Sequence, residues 1–336
     1  MSKKSKEKNK NLKSSLLVLL LIAILLIAST YAWFTANRTV TISSLEVNVQ
    51  ASNGLQISTD AQNWKAIITK DDILTGAYSG NTNKIPASMT PVSTDGSVTG
   101  ANMNMFYGVM APDEDTGRYA LTATQETDST TDKYIVFDIF LKADEAMDLT
   151  LTGESAVTTK EGSTDKGLQN ASRVVFINEG NVATTAGAAA ATVLDDAKPF
   201  SDGDRSTVIW EPNAGSHTAE AVANNPYGTD AVITAGDSGA PVQYYGVKTA
   251  IADPIDRTTI NSGDDDTHFA LMTGAGLTTT NKDASETADF IHIDAGITKI
   301  RVYMWVEGQD VDCDNSASGT DIVFNVQFDA PEGVGG

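Results

Sequence analysis

The stretch from Asp310 to Asp321 carries oxygen-bearing side chains at the spacing of a calcium-binding loop. With Asp310 as position 1, side-chain oxygens fall at positions 3, 5, 9 and 12, and position 7 supplies a backbone carbonyl. Alternate side chains of such a loop converge on a hard cation as the chain wraps around it. The predicted cofactor is calcium, and the predicted ligands are Asp310, Asp312, Asp314, Ser316, Ser318 and Asp321.

The same loop departs from the usual pattern, which leaves a second interpretation open. Asn315 stands at position 6, where Gly is usual, and Asp321 at position 12, where the longer Glu is usual. The flanking segments have the pattern of strands, whereas the usual loop joins two helices. An acidic hairpin tip in an acidic protein explains the same residues. Cys313, the single cysteine, excludes an intramolecular disulfide and is either a buried thiol or a link between subunits.

Catalytic motifs are missing from the sequence. It contains no HExxH, GxSxG or P-loop pattern, and the three histidines, His217, His268 and His292, are far apart. A zinc peptidase needs clustered nitrogen or sulfur ligands, so this class is disfavoured. We therefore expect a protein that is not an enzyme. A secreted hydrolase whose carboxylates meet only in three dimensions stays open as an alternative.

A glycan-binding module is the other alternative, because such modules present aromatic rings along a groove. The candidate aromatic residues are Trp64, Trp210 and Trp305. The net charge of −21 disfavours nucleic acid as a partner, since an acidic surface repels phosphates. The first 14 residues hold six lysines and one acid, so the remainder is more acidic than the whole.

Alternating apolar and polar residues predict an all-β protein, an antiparallel β-sandwich with long loop insertions. The strongest strand, 133–142, is apolar on both faces and should be central. Residues 298–307 and 321–329 each have one apolar face, and we expect them to pair as an antiparallel hairpin. The insertions lie around 76–102, a predicted surface excursion, and around 178–237, within one domain spanning 33–336.

The first strand of this domain changes its alternation partway. Val40 and Ile42 share one parity, while Leu45, Val47 and Val49 share the other, which predicts a bulge at Ser43–Ser44. The ordinary interpretation is a first strand that crosses between the two sheets of the sandwich. The alternative is a strand that pairs with a second molecule.

The N-terminus has the pattern of an export signal. Lysines precede an apolar run from Leu16 to Ala28, and small residues flank a cleavage position between Ala32 and Trp33. Residues 1–32 are therefore a signal peptide or, if uncleaved, an N-terminal membrane anchor formed by a hydrophobic helix. Membrane contact is expected only through residues 14–34. The protein is expected outside the cytosol, secreted or at the cell surface.

The N-terminal segments resemble the TasA and camelysin-like biofilm proteins of Gram-positive bacteria: the signal ends in TYAWF and is followed by TVTISSLEVNVQAS. The C-terminal segments VYMWVEGQDVDC and DIVFNVQFDA look like the closing hairpin of hypothetical cell-surface proteins that carry this kind of signal. The resemblance implies a jelly-roll-like sandwich exported by a dedicated signal peptidase. It also implies fibres in which residues 33–49 of one subunit complete the sheet of the next by donor-strand exchange.

These observations together predict an exported structural protein of the bacterial cell surface or extracellular biofilm matrix. Its expected partners are further copies of itself or other surface and matrix proteins, besides the signal peptidase during export. An ordinary N-terminal strand that stays in its own subunit explains residues 33–49 equally well.

Overall fold

The structure is a computed structural model. It describes residues 40–49, 54–99, 102–112, 119–128, 132–194, 207–213, 216, 218, 245–256, 267–271, 277–281, 289–308, 310, 312–313 and 319–330. The predicted signal segment 1–32 and the first part of the predicted donor segment lie outside these residues. So do 195–206, 214–215, 217 and 219–237 of the second insertion.

The described residues are mostly strands, which confirms the all-β class. In chain order the strands are β1 (Val40–Val49), β2 (Gln56–Ser58), β3 (Ile67–Thr69), β4 (Ser88–Met89), β5 (Val98–Thr99), β6 (Asn102–Met103), β7 (Phe106–Pro112), β8 (Tyr119–Gln125), β9 (Ile135–Ala143), β10 (Met147–Leu151), β11 (Ala156–Thr159), β12 (Ser172–Val182), β13 (Thr207–Glu211), β14 (Tyr245–Val247), β15 (Ile251–Asp256), β16 (Phe269–Leu271), β17 (Leu277–Asn281), β18 (Asp289–Ile293), β19 (Gly296–Val306) and β20 (Asp321–Asp329). The helices are short: α1 (Lys70–Thr75), α2 (Ala189–Val193) and the 3-10 turns Leu168–Ala171 and Thr184–Ala186.

Two sheets form the main body of the described chain. Sheet A has seven strands in the order β18–β10–β20–β1–β3, with β11 also pairing with β20 and β4 with β1. Sheet B has six strands in the order β17–β13–β12–β19–β9–β2. Two pairs, β1 with β20 and β13 with β17, are parallel, so the expectation of a purely antiparallel sandwich is wrong for them.

The main hydrophobic core lies between sheets A and B. It contains the inward residues of β1 and β20 from sheet A and those of β9, β12 and β19 from sheet B. Phe176 on β12 meets Phe328 on β20 edge to face across this core, with ring centroids 5.5 Å apart. The side chain of Cys313 is buried in the same core, as the buried-thiol interpretation expects.

The predicted hairpin of residues 298–307 and 321–329 is wrong. These segments form β19 and β20, which lie in different sheets and point their apolar faces at each other across the core. A one-sided apolar pattern satisfies burial equally well by facing another sheet or by pairing along an edge, so it does not specify the neighbour. Strand β20 does alternate as predicted, with one buried and one half-buried face.

Sheet B is covered on its outer face as well. Tyr303 and Trp305 on β19 pack there against Val92 from the first insertion and against Met103 and Met105, which follow it. Every residue of β19 is buried, so the prediction of a half-buried strand is wrong for it. The prediction for residues 133–142 is confirmed, because β9 is buried on both faces and lies between β19 and β2.

A small additional layer continues this cover. Strands β7, β8 and β15 form one sheet, strands β14 and β16 another, and together they enclose a separate apolar cluster that includes Phe106, Leu121 and Val247. The chain segment around Ser93 connects this layer to sheet B: Val92 N–H donates to the carbonyl of Val306, and Asp95 N–H to that of Val247. Residues 76–99 therefore supply buried packing to the fold.

Candidate functional site

Strand β1, the described part of the predicted donor segment, lies inside sheet A. It runs parallel to β20 from Thr41 to Val49 and antiparallel to β4 and β3 on its other side. Its backbone is bonded in both directions: the Thr41 N–H donates to the Thr320 carbonyl at 3.0 Å, and the Ile42 N–H donates to the Ala87 carbonyl at 3.1 Å. The expectation that this strand crosses between the sheets is wrong, since it stays in one sheet.

The phase change in β1 is a bulge, as predicted. The register with β20 shifts between Ile42 and Ser44, so one extra residue is accommodated at Ser43. The shift lets residues of both parities face the core, and Ile42 and Leu45 are each at most 4% exposed. The Asn48 side-chain amide donates a 3.0 Å hydrogen bond to Asn325 Oδ1, which adds to the pairing with β20. The sequence of β1 therefore fits a single register in this position.

The described residues of the predicted calcium loop are held by protein groups. Asp310 Oδ2 accepts a 2.7 Å hydrogen bond from Arg173 Nη2, and its Oδ1 accepts the N–H of Asp312. Asp312 Oδ1 accepts the N–H of Thr218 at 2.8 Å, and Asp321 Oδ2 accepts the hydroxyl of Ser163 at 3.3 Å. The other predicted ligands, Asp314, Ser316 and Ser318, lie outside the described residues.

A cation in this loop would therefore compete with Arg173 for Asp310. In the part of the chain that the structure describes, no group of three or more His, Cys, Asp or Glu side chains is arranged to hold a metal ion. The calcium site stays a prediction, with ligands drawn partly from residues that the structure does not describe.

A buried ion cluster surrounds Arg173 beside this loop. Arg173 is 2% exposed, and its guanidinium lies between Asp310 and Glu211, with Nε 2.5 Å from Glu211 Oε1. Glu307 lies near them and accepts the indole N–H of Trp305 at 3.0 Å. Burial raises the pKa of Glu211 to about 7, with Arg173 opposing and the charges of Asp310 and Glu307 adding to the rise. Burial raises the pKa of Asp310 too, against the effect of Arg173.

This arrangement predicts a pH-dependent stability that depends on Glu211. Its pKa rises from 4.5 to about 7 on folding, so the folded state binds a proton more tightly than the unfolded state. The stability that this provides is complete below pH 4.5 and is lost as the pH rises to about 7. Across that window Glu211 should lower the free energy of unfolding by about 3 kcal/mol.

Glu211→Gln keeps the shape of the side chain and removes the titration of Glu211. Urea unfolding at several pH values should show a smaller decline of stability in the variant, with the raised pKa of Asp310 accounting for what remains. Glu154→Gln, at an exposed position, should retain the wild-type profile. An unchanged profile in Glu211→Gln would contradict the assignment.

A second buried ion cluster lies on the outer face of sheet B. Arg301 on β19 forks onto Asp138 on β9, with Nε–Oδ1 at 2.8 Å and Nη2–Oδ2 at 3.0 Å. Lys299 and Glu179 complete it, and all four side chains are at most 1% exposed. Burial alone would raise the pKa of Asp138, but the hydrogen bonds and charges of Arg301, together with Lys299 and Tyr78, lower it. The sequence shows Asp138 inside an otherwise apolar strand, but its spacing does not identify these partners.

The aromatic residues expected of a glycan-binding groove lie elsewhere. Trp210 and Trp305 are fully buried, the first in the main core and the second beneath the cover of sheet B. Trp64 is half-buried, with the Lys142 ammonium 4.7 Å from its ring centroid. Two of the three candidate rings are thus unavailable to a glycan.

The described histidines are separated. His292 lies on β18, where its Nδ1 is 2.6 Å from Asp148 Oδ1, while His268 precedes β16 in the small additional layer. His217 lies outside the described residues.

No protein-family model, curated protein or solved structure matches this chain. The resemblance to TasA and camelysin-like proteins therefore stays an expectation that rests on the sequence segments quoted above. None of the helices among the described residues is long and apolar enough to cross a membrane.

Proposed function

We propose that this chain is an exported structural protein of the bacterial cell surface or extracellular matrix, acting through self-association or contacts with other surface proteins. Three features support a scaffolding role outside the cytosol: the predicted export signal, the acidic composition, and a β-sandwich whose sheet B is buried on both faces. A jelly-roll-like topology and the absence of catalysis are parts of the same proposal.

The observation that carries the proposal is the interior position of β1. An N-terminal strand that pairs on both sides with its own sheet can be replaced by the same strand of another copy, because each contact reforms between subunits. The bulge and the buried face of β1 fix the register that an incoming strand would adopt. Residues 33–49 would be the exchanged segment.

Removal of residues 33–42 is expected to abolish filaments seen by electron microscopy of the mature protein. The deletion takes away Val40 and Ile42, which lie in the core, and their backbone bonds to β4 and β20. A single substitution tests the same role of the strand more specifically. Ile42→Asp places a charge at a buried position of the strand and should block assembly, while Thr41→Asp, at the exposed neighbouring position, should leave it intact.

A peptide of residues 33–49 provides a second measurement. Added to a variant that lacks these residues, it should bind and raise the melting temperature, and added to growing filaments it should stop their extension. Filaments that persist unchanged in the deletion variant would exclude strand exchange. A mature protein that stays monomeric under all conditions would exclude self-association altogether.

We also propose that calcium binds the loop from Asp310 to Asp321. Binding to the folded state alone should raise the melting temperature progressively with calcium concentration. Asp321→Asn should weaken this response, because it removes the charge of a proposed ligand whose carboxylate, among the described residues, accepts a 3.3 Å hydrogen bond from the Ser163 hydroxyl. Glu161→Gln, at an exposed carboxylate two residues before Ser163 in the chain, is the matched control. No shift at millimolar calcium would eliminate the site.

A further inference from the structure

Three reactive side chains lie together on neighbouring strands of sheet B, beneath its cover. Lys299 on β19 has its Nζ 3.3 Å from Oδ2 of Asp138 on β9 and 3.8 Å from Oε2 of Glu179 on β12. Each of the three residues is 0% exposed. A lysine amine, a carboxyl group and a second carboxyl group within reach of the amine are the components of an amide condensation.

The sheet fixes the relative positions of the amine and the carboxyl group. Strands β19 and β9 pair without a register shift from Gly296 to Met304, which sets Lys299 and Asp138 on the same face. Groups held in this way react with effective concentrations far above those reached in solution, on the order of 10⁵ M or more. The surrounding protein excludes water, so the reverse reaction, hydrolysis, lacks its reactant.

Two further groups contact the carboxyl of Asp138. The hydroxyl of Tyr78 donates to Oδ2 at 2.8 Å, and Lys299 Nζ donates to the same hydroxyl at 3.2 Å. Arg301 donates to Oδ1 and Oδ2. Its donors would stabilise the negative charge that develops on Oδ1 when a nucleophile adds to the carboxyl carbon.

We propose that Lys299 and Asp138 condense after folding into an intramolecular amide bond. The Lys299 proton first passes to Oδ2 across their contact, which leaves a neutral amine and a neutral carboxyl group. The amine nitrogen attacks Cγ of Asp138, and Glu179 takes the extra proton from the nitrogen. That proton then reaches the Oδ2 hydroxyl, directly or through Tyr78, and Oδ2 leaves as water. One C–N bond forms, one C–O bond breaks, and Glu179 returns to its starting state.

The charges of the cluster favour this product. The ion pair of Lys299 and Asp138 disappears, while Arg301 and Glu179, with Nε and Oε1 4.0 Å apart, remain as a balanced pair. Two buried charges are thereby removed from an environment in which charges are costly. Arg301 and Lys299 lower the pKa of Asp138, so the neutral reactive form is a minor one and the condensation is slow relative to folding.

The intact mass of the wild-type protein tests the inference without any substitution. The purified, denatured protein should be lighter by one water molecule than the mass calculated from its determined N-terminus, and tandem mass spectrometry should find a branched peptide joining Lys299 to Asp138. The denatured product should also migrate faster in gel electrophoresis, because the bond closes a long loop. Folded protein with the full calculated mass would overturn the proposal and leave an ion-pair network only.

Formation of a succinimide at an Asp–Gly sequence also removes one water molecule. The position of the modified residues therefore distinguishes a succinimide from the proposed amide. A deficit located at Asp95–Gly96 or Asp202–Gly203, with Lys299 unmodified, would equally overturn the proposal. Lys299→Met should restore the calculated mass. Glu179→Gln should slow the appearance of the lighter species after refolding, while Lys65→Met, at an exposed ion pair with Asp72, should leave its rate unchanged. The bond does not depend on strand exchange, so either proposal can fail without the other.

Discussion

Arg301→Met should destabilise the folded protein by about 3–5 kcal/mol, because it leaves buried carboxylates short of a cation. Arg301 is 1% exposed, and its fork onto Asp138 supplies hydrogen bonds to both carboxylate oxygens. Methionine fills a similar volume, so the loss reports mainly on charge and hydrogen bonding and only slightly on packing. Before the proposed condensation, Lys299 alone would then balance Asp138 and Glu179, at 3.3 Å and 3.8 Å. After it, Glu179 would lose its remaining cation, since Arg301 Nε lies 4.0 Å from its Oε1.

The measurement is urea unfolding of the variant and the wild type at neutral pH. The midpoints are comparable if the m-value, the slope of the unfolding free energy against urea concentration, is the same for both. Lys65→Met is the control, since it also replaces a cation by methionine, at an ion pair whose lysine side chain is 48% exposed. The control should cost less than about 1 kcal/mol. Equal losses in the two variants would show that the buried cluster contributes no more than a surface pair.

The strand pattern of this protein could be predicted from local alternation, and the partners of the strands could not. The bulge in β1 and the burial of Leu149 and Leu151 on β10 follow from the order of apolar residues alone. The capped turn at α1 is equally local, because Thr69 and Asp72 exchange capping hydrogen bonds within four residues. Features that depend only on residues close in sequence can be predicted from the local sequence.

The predictions from the sequence are wrong where a strand is buried by residues from distant parts of the chain. Strand β19 looks half-polar in sequence, and its outward residues are buried because the segments near Tyr78 and Val92 lie over them. The cover could not be anticipated from residues 76–102, whose few apolar side chains are spread among Gly, Ser and Thr. A one-sided pattern therefore predicts that a strand has a buried face but leaves open whether the other face is covered.

The two buried ion clusters were missed for the same reason. Asp138, Arg173 and Arg301 each interrupt an apolar strand, which is a visible signal that a charge must find a partner. The partners come from other strands: Arg301 for Asp138 on the neighbouring strand, and Asp310 for Arg173 from the loop after β19. A charge inside an apolar strand is thus a sign of a buried pair whose second member only the topology identifies.

Gly246→Ala should be the most damaging single-methyl change in the small additional layer. A Cβ at this position would lie 1.7 Å from the carbonyl oxygen of Thr94 and 2.7 Å from the backbone nitrogen of Asp95. Both are backbone atoms in a buried segment, so no side-chain rotation relieves the overlap. Strand β14 would have to move away from residues 93–95.

That movement would break two contacts that hold β14 in place. The Asp95 N–H donates to the Val247 carbonyl, and the Val247 N–H donates to Ser93 Oγ, each at 3.1 Å. Overpacking together with the loss of these bonds should cost about 3 kcal/mol. Val247 also packs in the apolar cluster of this layer, so the displacement would loosen the cover over sheet B.

Hydrogen exchange at the amides of Asp95 and Val247, with thermal unfolding of the whole protein, measures the effect. Both amides should exchange faster in Gly246→Ala, and the melting temperature should fall. Gly162→Ala is the control, because its added Cβ meets nothing within 4 Å and only its positive φ of 83° opposes the change. That variant should cost about 1 kcal/mol and leave the two amides protected. If Gly246→Ala behaved like the control, β14 would not be packed against residues 93–95 in solution, and the close approach on which the cover depends would be wrong.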